Sequence, residues 1–202
     1  MIRTAWLSLS LALAFTGSAL ANPVSRDPAT LPAGDYELDS RHASLTMKVA
    51  HMGGFSKFTM RFDKITGAFA YDPSKLAATR LTLSIDPKSI HTGLPSFDQE
   101  LAGPTYFDTA KHPAITFVTT AVDPGTDGHG TVTGDLSFNG VTKPVTLDTT
   151  FNGFGPGLLG AGTRLGFSGT GSIKRSEFGF TKVSNYASDV VDLQFEVEFT
   201  KH

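Results

Sequence analysis

The chain has 202 residues, no cysteine and a formal net charge of −2 at neutral pH. Without cysteine it has no disulfide framework, no thiolate for catalysis or metal binding, and no residue for attachment as a lipoprotein. Its 17 basic and 19 acidic side chains lack the excess of positive charge that nucleic-acid binding normally requires. The length suits a single domain with one hydrophobic core.

The N-terminal segment has the features of a secretory signal peptide. Arg3 precedes the apolar residues 5–15, and the small-residue sequence Ala19-Leu20-Ala21 follows. We therefore predict that residues 1–21 are removed by cleavage after Ala21, and we expect an exported, periplasmic protein. No later stretch approaches the ~20 apolar residues of a membrane-spanning helix.

Residues 22–33 are rich in Pro, Asp and Ser and predict a flexible leader to one domain over residues 34–202. Within this domain, apolar and polar residues alternate with the period of two that is typical of β-strands. The last strand is the clearest, because apolar side chains occupy every second position from Val191 to Phe199. After Phe62 the apolar parity shifts to Ile65, which predicts a bulge or sharp bend inside a long strand.

Turn and helix patterns interrupt the strands at a few places. Asn139-Gly140, between two apolar alternations, predicts a tight hairpin. The best helix candidate begins at Ser96, whose spacing to Gln99 is that of a capping box, and ends before Gly103. A second short turn is expected over residues 106–109.

The strands share one apolar and one polar face, which indicates an antiparallel sheet that is wetted on one side. About eight such strands close most economically into a barrel, because closure removes exposed edges. The predicted fold is therefore all-β, an antiparallel β-barrel of about eight strands with one or two short helices.

Two stretches carry a family resemblance, namely residues 134–147, GDLSFNGVTKPVTL, and residues 173–179, IKRSEFG. Together they resemble the YceI family of periplasmic polyisoprenoid-binding proteins, and the resemblance extends from Tyr36 to Lys201. It implies a lipocalin-like barrel and a polyprenyl or quinone-like ligand, and it leaves open a homodimer. This chain reads FDQEL over residues 97–101, where the family usually has a basic residue, Asp, any residue, His and Leu. If those basic and His groups touch an anionic head in relatives, this protein prefers a neutral head such as a quinone or an amide.

The predicted inner wall of the barrel alternates between large side chains and glycine. An eight-stranded barrel can be filled by its side chains or hold one small ligand. Four glycines at inward positions either ease strand bending and close backbone approach or leave an apolar tunnel, and both interpretations stay open. They are Gly67, Gly134, Gly169 and Gly171. The tunnel hypothesis predicts a lining of aromatic and methionine side chains: Met47, Phe58, Met60, Phe69, Phe138, Phe167 and Phe195.

A ligand head group at the barrel mouth would require hydrogen-bond donors or positive charge. By chemistry the candidates are Arg41, His42, Arg61 and Arg175. The alternative for Arg175 is structural, since with Glu177 it can attach a loop to the barrel.

We expect a periplasmic binding or carrier protein that shields an isoprenoid or similar long-chain amphiphile, such as a polyprenyl phosphate or a quinone, from water. The alternative is a structural or stress-response module that acts through its outer surface and has a packed, ligand-free barrel. An enzyme would need a nucleophile with its base, paired carboxylates or a metal triad, and the sequence offers none with diagnostic spacing. His42 and His51 are too far apart in sequence to form a metal motif. We therefore predict neither catalytic activity nor a cofactor or metal, and no nucleic-acid partner.

Overall fold

The computed structural model describes residues 24–201, without the side chain of residue 158. The predicted signal peptide and its cleavage site lie outside the described residues. Between residues 24 and 201, no helix is both long enough and apolar enough to cross a membrane. The strands are β1 (Gly34–His51), β2 (Ser56–Phe62), β3 (Ile65–Tyr71), β4 (Leu81–Ile85), β5 (Ile90–His91), β6 (Ile115–Thr126), β7 (His129–Phe138), β8 (Val141–Pro156), β9 (Thr163–Lys174) and β10 (Ala187–Lys201), and the α-helix is α1 (Pro95–Ala102). Short 3-10 helices occupy Pro28–Thr30, Pro73–Ala78, Pro87–Ser89, Leu158–Gly160 and Arg175–Phe178.

Eight of these strands form a closed antiparallel barrel, as the alternation predicted. Neighbours follow the order β1, β3, β4, β6, β7, β8, β9 and β10, and β10 pairs with β1 to close the ring. β2 pairs with the second half of β1, and β5 pairs with β2. The edge of β10 that an open sheet would expose is thereby paired with β1, whereas the outer edge of β2 pairs with β5 only at Arg61 and Phe62.

The parity shift after Phe62 marks a bend between two strands. β2 ends at Phe62 and β3 begins at Ile65, so two residues interrupt what would otherwise be one long strand. β1 has a matching irregularity in its pairing with β10, between Leu38 and Ala43. The predicted bend is confirmed, and it lets β1 pair with β3 near its start and with β2 near its end.

The hairpin prediction is confirmed, whereas the predicted helix cap is wrong. Asn139 and Gly140 join β7 to β8 with φ values of +52° and +76°, the left-handed conformations of a type I′ turn. α1 begins one residue before the predicted start, but its N-cap is Leu94, which makes no side-chain capping bond. Pro95 occupies the first turn instead, where its fixed φ and missing N–H carry little cost. The Ser96–Gln99 spacing therefore does not act as a capping box.

The barrel has two ends, which we name from what covers them. β1 begins at Gly34 at the closed end and finishes at His51 at the helix end. α1, the β1–β2 turn and the loop between β9 and β10 all lie at the helix end, because the strands alternate in direction. The predicted flexible leader lies at the closed end. Its described part packs against the barrel, since Leu31 is buried and Ser25 forms a bridge with Phe154.

Three clusters of buried side chains fill most of the barrel. The closed-end cluster comprises Leu31, Tyr36, Phe69, Tyr71, Phe151, Leu165 and Phe199. The helix-end cluster comprises Met47, Val49, Phe62, Ile65, Ile85, Ile90, Leu101, Phe107, Ile115 and Val191. The side cluster comprises Phe117, Val145 and Phe178. Between them lies the stretch of inner wall that concerns function.

Candidate ligand-binding site

Aromatic rings pack against one another at the closed end. Phe199 lies at the centre of this packing, with its ring centroid 5.0 Å from that of Phe69 and 6.3 Å from that of Phe167. Tyr36, which is fully buried, stacks on Phe69 at 5.4 Å. A ligand chain therefore has no open passage through the centre of this cluster.

Two tyrosine hydroxyls attach the N-terminal segment to the same end. Tyr36 donates a hydrogen bond to the carbonyl of Pro32, and Tyr71 donates one to the carbonyl of Pro28, each at 2.7 Å. Burial raises the pKa of both tyrosines, so both hydroxyls stay protonated donors at neutral pH. Residues 24–33 thus form part of the barrel's closure.

The middle of the barrel is lined by apolar residues that are less deeply buried than the three clusters. Several inward side chains are only half-buried, although the closed wall separates them from the outer solvent: Leu45, Leu136, Leu147, Phe167, Leu193 and Phe195. Phe195 belongs to none of the three clusters among the described residues. These inward residues of β1 and of β7 to β10 are therefore less completely buried than the members of the three clusters.

The four inward glycines share one feature, a neighbouring side chain that lies directly over each. The pairs are Gly67 with Leu83, Gly134 with Phe117, Gly169 with Phe195 and Gly171 with Leu147. A methyl group at Gly169 would lie 2.7 Å from Cε1 of Phe195, and one at Gly134 would lie 2.7 Å from Cε2 of Phe117. The glycines let these side chains lie flat against the wall. This supports close approach, and the volume that the glycines were expected to leave is occupied by the neighbouring side chains.

Three of the predicted tunnel residues are part of the packed core. Met47 is buried in the helix-end cluster and Phe69 in the closed-end cluster. Phe138 packs against three other phenylalanines, and the nearest of their ring centroids, that of Phe180, is 4.7 Å away. These side chains shape the ends of the interior.

The other four predicted residues lie nearer to accessible surface. Phe167 and Phe195 belong to the half-buried set, and Met60 is half-buried beside the helix-end cluster. Phe58 meets Phe97 of α1 edge to face, with ring centroids 5.8 Å apart. Phe58 therefore lies where α1 covers the helix end.

The predicted head-group residues do not converge on one place. Arg41 Nε lies 3.5 Å from Asp39 Oδ1, and His42 Nδ1 lies 2.9 Å from Asp39 Oδ2. Arg61 Nε lies 2.8 Å from Asp63 Oδ1. Each of these three side chains is exposed and already has a carboxylate partner.

Arg175 binds backbone carbonyls of the loop before β10. Its Nη1 donates to Phe180 and Lys182 at 2.6 and 2.7 Å, its Nη2 to Ala187 at 3.1 Å, and its Nε to Ser188 at 2.9 Å. Four of the five N–H groups of a guanidinium are used in this way. The contacts support the structural alternative, through carbonyls rather than through Glu177.

An ion-pair cluster on the outer wall was not predicted. Arg164 Nη1 lies 3.0 Å from Asp39 Oδ2 and also pairs with Glu198. The hydrogen bond with His42 holds the pKa of Asp39 well below its ordinary value, helped by the backbone N–H of Arg41 and by Arg164. These residues are far apart in sequence, so only the barrel register brings them together.

A buried hydroxyl on the inner wall was also missed. Thr119 of β6 is 1% exposed, and its Oγ1 has no hydrogen-bond partner among the described residues. It pairs with Gly134, two positions along the strand from Phe117. The sequence could have indicated this buried hydroxyl, because Thr119 follows Phe117 by two residues and therefore lies on the same inward face.

The outer wall carries a polar groove of about 370 Å³. Its lining includes His129 and the outward-facing carboxylates of Asp148 and Glu196. Within residues 24–201, no three His, Asp or Glu side chains are arranged to hold a metal ion.

The two stretches that carried the family resemblance touch each other at the helix end. Asn139 Nδ2 in the hairpin turn donates a hydrogen bond of 3.0 Å to the carbonyl of Phe178. Gly179 follows with φ +85°, a conformation that favours glycine. Residues 36–199 match the YceI-like domain family. The chain belongs to the YceI-like family.

Similar proteins cover nearly all of this YceI-like chain. A UPF0312 protein of Yersinia pestis is 36% identical over 202 residues, which cover 98% of this chain and 97% of the relative. A UPF0312 protein of Vibrio cholerae is 34% identical over 173 residues, which cover 85% and 89%. The predicted family is therefore confirmed.

Solved structures share the fold of this YceI-like chain. BcnA of Burkholderia cenocepacia has a TM-score of 0.69 and 26% identity, covering 80% of this chain and 98% of its own. The YceI protein of Campylobacter jejuni has a TM-score of 0.65 and 28% identity, covering 73% and 87%. A polyisoprenoid-binding domain from Saccharophagus degradans has a TM-score of 0.61 at 19% identity, covering 83% and 98%, and shows the fold alone. Together with the family, these structures show that the chain has the barrel fold of YceI proteins.

Proposed function

We propose that this YceI-like chain is a periplasmic binding or carrier protein that holds the apolar tail of an isoprenoid or similar long-chain amphiphile inside its barrel. The observation that carries the proposal is the set of half-buried apolar side chains on the inner wall, between the packed closed end and the helix end. Family membership supports this ligand class, and the Saccharophagus degradans domain of the same fold is named for polyisoprenoid binding. The protein does no chemistry on the ligand.

The energetics favour a long apolar tail. Each methylene that leaves water contributes about 0.8 kcal/mol, whereas association costs at least about 4 kcal/mol of lost translational and rotational freedom. A long chain exceeds this cost and a short one does not.

Phe167, Leu193 and Phe195 are the side chains that we propose touch the tail.

We propose a neutral head group, such as a quinone or an amide. Arg41, His42 and Arg61 already have carboxylate partners, and Arg175 is engaged by carbonyls. The carboxylate beside each of Arg41, His42 and Arg61 offsets the attraction that an anionic head would gain there. In α1, Asp98 also accepts hydrogen bonds from the backbone N–H and the hydroxyl of Thr92.

The direct test is lipid extraction and mass spectrometry of protein recovered from the periplasm after expression of the full chain. We expect a co-purified long-chain amphiphile, and saturable binding when a polyprenyl alcohol or a quinone is titrated into delipidated protein. Protein without lipid that shows no saturable binding would instead favour the surface-acting module with a packed barrel. N-terminal sequencing of the same sample is expected to begin at Asn22.

A matched pair of variants tests whether the interior is the site. Leu193→Trp places a large ring on the inner wall, and Gln194→Trp places the same ring on the outer face one residue later. We expect the first to reduce ligand capacity and the second to leave it unchanged. Leu45→Trp and Ser44→Trp form a second pair on β1, for use if the first inward variant does not fold. Equal binding by inward and outward variants would contradict the proposed site.

A further inference from the structure

Exposed apolar side chains from two loops gather at the helix end. In the β1–β2 turn, Phe55 is 87% exposed and Met52 is 46% exposed. In the loop before β10, Tyr186 is 57% exposed and Val183 is 48% exposed. We call these four side chains the apolar tip. The turn at Asn139-Gly140 uses polar residues, so large apolar side chains are not a requirement of the turn geometry.

The two loops of the apolar tip are held in place by hydrogen bonds. The backbone N–H of Met52 donates to the carbonyl of Tyr186 at 2.8 Å, which brings the two loops side by side. Arg175 fixes the second loop through the carbonyls of Phe180 and Lys182. The apolar tip is therefore part of the ordered barrel end.

Positive charge accompanies these apolar side chains. Residues 51–57 and 179–187 contain Lys57 and Lys182 but no Asp or Glu. Lys57 pairs with Asp192 across the wall at 2.5 Å, and both side chains are about half exposed. Lys182 is thus the cation that these two loops offer beside the apolar tip, while the carboxylates of this end, Asp98, Glu100, Glu177 and Asp189, lie outside them.

The apolar tip lies next to the rim of the helix end, which α1 covers. β2 begins at Ser56, one residue after Phe55, and its first inward side chain is Phe58, which contacts α1. The opposite end is closed by the aromatic cluster and by residues 24–33. A surface that binds the apolar tip therefore also faces the end of the barrel that is not sealed by this cluster.

We propose that the apolar tip docks this protein on a lipid surface that carries anionic headgroups. Aromatic and aliphatic side chains on protruding turns can enter the headgroup region, and neighbouring lysines add attraction to anionic lipids. A second copy of the chain fits less well, because a two-fold contact would bring the same cations together. The inference goes beyond ligand binding and does not require a ligand in the barrel.

The test uses ligand-free protein recovered from the periplasm and vesicles of equal parts phosphatidylglycerol and phosphatidylcholine. Trp6 is the single tryptophan of the chain and lies in the predicted signal peptide, so Phe55→Trp supplies a specific fluorescent reporter. Leu159→Trp is the matched control, because Leu159 is 97% exposed in a loop at the closed end. We expect a blue shift of emission on vesicle addition for Phe55→Trp and none for Leu159→Trp.

Flotation of non-fluorescent variants gives the second measurement. Phe55→Ser is expected to weaken vesicle binding about tenfold, from the lost burial of one aromatic side chain, and Leu159→Ser is expected to leave it unchanged. Lys182→Gln is expected to weaken binding about fivefold, and pure phosphatidylcholine vesicles are expected to bind poorly.

Three results would overturn the docking proposal. They are equal emission shifts at positions 55 and 159, no shift at either position, and a change of molecular mass by light scattering in Phe55→Ser without any effect on vesicles. The last result would assign the apolar tip to a contact between two copies of the chain. Since these vesicles and variants leave the interior unchanged, failure here is distinct from failure of lipid binding in the barrel.

Discussion

Thr119 places a hydroxyl on the inner wall of β6 without a hydrogen-bond partner among the described residues. A buried hydroxyl without a partner costs free energy that an apolar side chain of the same shape does not. We expect Thr119→Val to raise the free energy of unfolding by about 1 kcal/mol, measured by urea denaturation. Thr82→Val, on the exposed face of β4, should change it by less than about 0.5 kcal/mol. A loss of stability in Thr119→Val would mean that a bound water or ligand satisfies the hydroxyl.

Asp39 makes the stability of the fold depend on pH in the acid range. Its pKa is lowered in the folded protein, chiefly by the hydrogen bond with His42, whereas the ordinary value is 3.8. A lowered folded-state pKa stabilises the fold above the ordinary value, and the stabilisation is lost as the pH falls through it toward the folded-state value. We expect the stability difference between the wild type and Asp39→Asn to be full at pH 6 and to shrink steadily below pH 4.

Denaturation midpoints measured from pH 6 to pH 2.5 check this expectation. Asp35→Asn, which removes an exposed carboxylate from the same strand, controls for the change in net charge. A difference between the wild type and Asp39→Asn that stays constant across the whole range would contradict the assignment.

Single residues were predictable to the extent that alternation assigns them to a face. The inward phenylalanines of β10 follow from the period of two, since only one parity can be apolar in a barrel wetted outside. The partners of Asp39 were not predictable, because Arg164 and Glu198 reach it only through the pairing of β1, β10 and β9. The head-group hypothesis treated Arg41 and Arg61 as available for a ligand, but the fold pairs both of them with carboxylates.

A variant at Gly134 of β7 tests why glycines occur on the inner wall. A methyl group at Gly134 would overlap the ring of Phe117, which lies flat across it. We expect Gly134→Ala to lower the free energy of unfolding by about 1–3 kcal/mol through overpacking. Gly166→Ala on β9 is the matched control, because the nearest atom there is 3.6 Å away and the site faces outward. Equal effects in thermal unfolding would show that backbone conformation, not ring packing, selects glycine.

The loop between β9 and β10 depends on one side chain. Arg175→Ala leaves four carbonyl groups without their donor, and we expect it to cost about 2 kcal/mol or more and to increase trypsin cleavage after Lys182. Arg175→Lys should recover little, because an ammonium group cannot reproduce the planar set of donors. Lys174→Ala, next to it and exposed, serves as the control. If Arg175→Ala lost ligand binding without losing stability, the result would support a role of Arg175 in binding the head group.

At the level of elements, the sequence predicted most of what local chemistry decides. The Asn139-Gly140 turn and the bend after Phe62 are both confirmed, since each depends on neighbouring residues. The cap of α1 was wrong because Pro95 displaced the start of the helix by one residue. The four-carbonyl contact of Arg175 involves residues on both sides of a loop, and no local pattern encodes it.

For the whole molecule, the N-terminal segment is the part where the structure departs most from the sequence-based expectation. Leu31 is 4% exposed in the closed-end cluster, although composition indicated a flexible leader. We expect Leu31→Ala to lower the free energy of unfolding by about 2–5 kcal/mol. Val24→Ala, at a residue that is 62% exposed, should stay within about 0.5 kcal/mol. Similar small effects in both variants, measured by thermal denaturation, would show that the segment is not part of the domain.

The sequence by itself determined the all-β class, the closed barrel, the family and the face to which each strand turns its apolar side chains. These follow from a period of two and from turn chemistry, which act over a few neighbouring residues. Only the tertiary structure decided which inward side chains pack and which stay accessible. That distinction depends on contacts between distant strands, as where Phe195 lies over Gly169 and Phe199 meets Phe69. The same inward residue is buried or stays partly exposed according to its neighbours across the wall, and alternation along one strand carries no information about them.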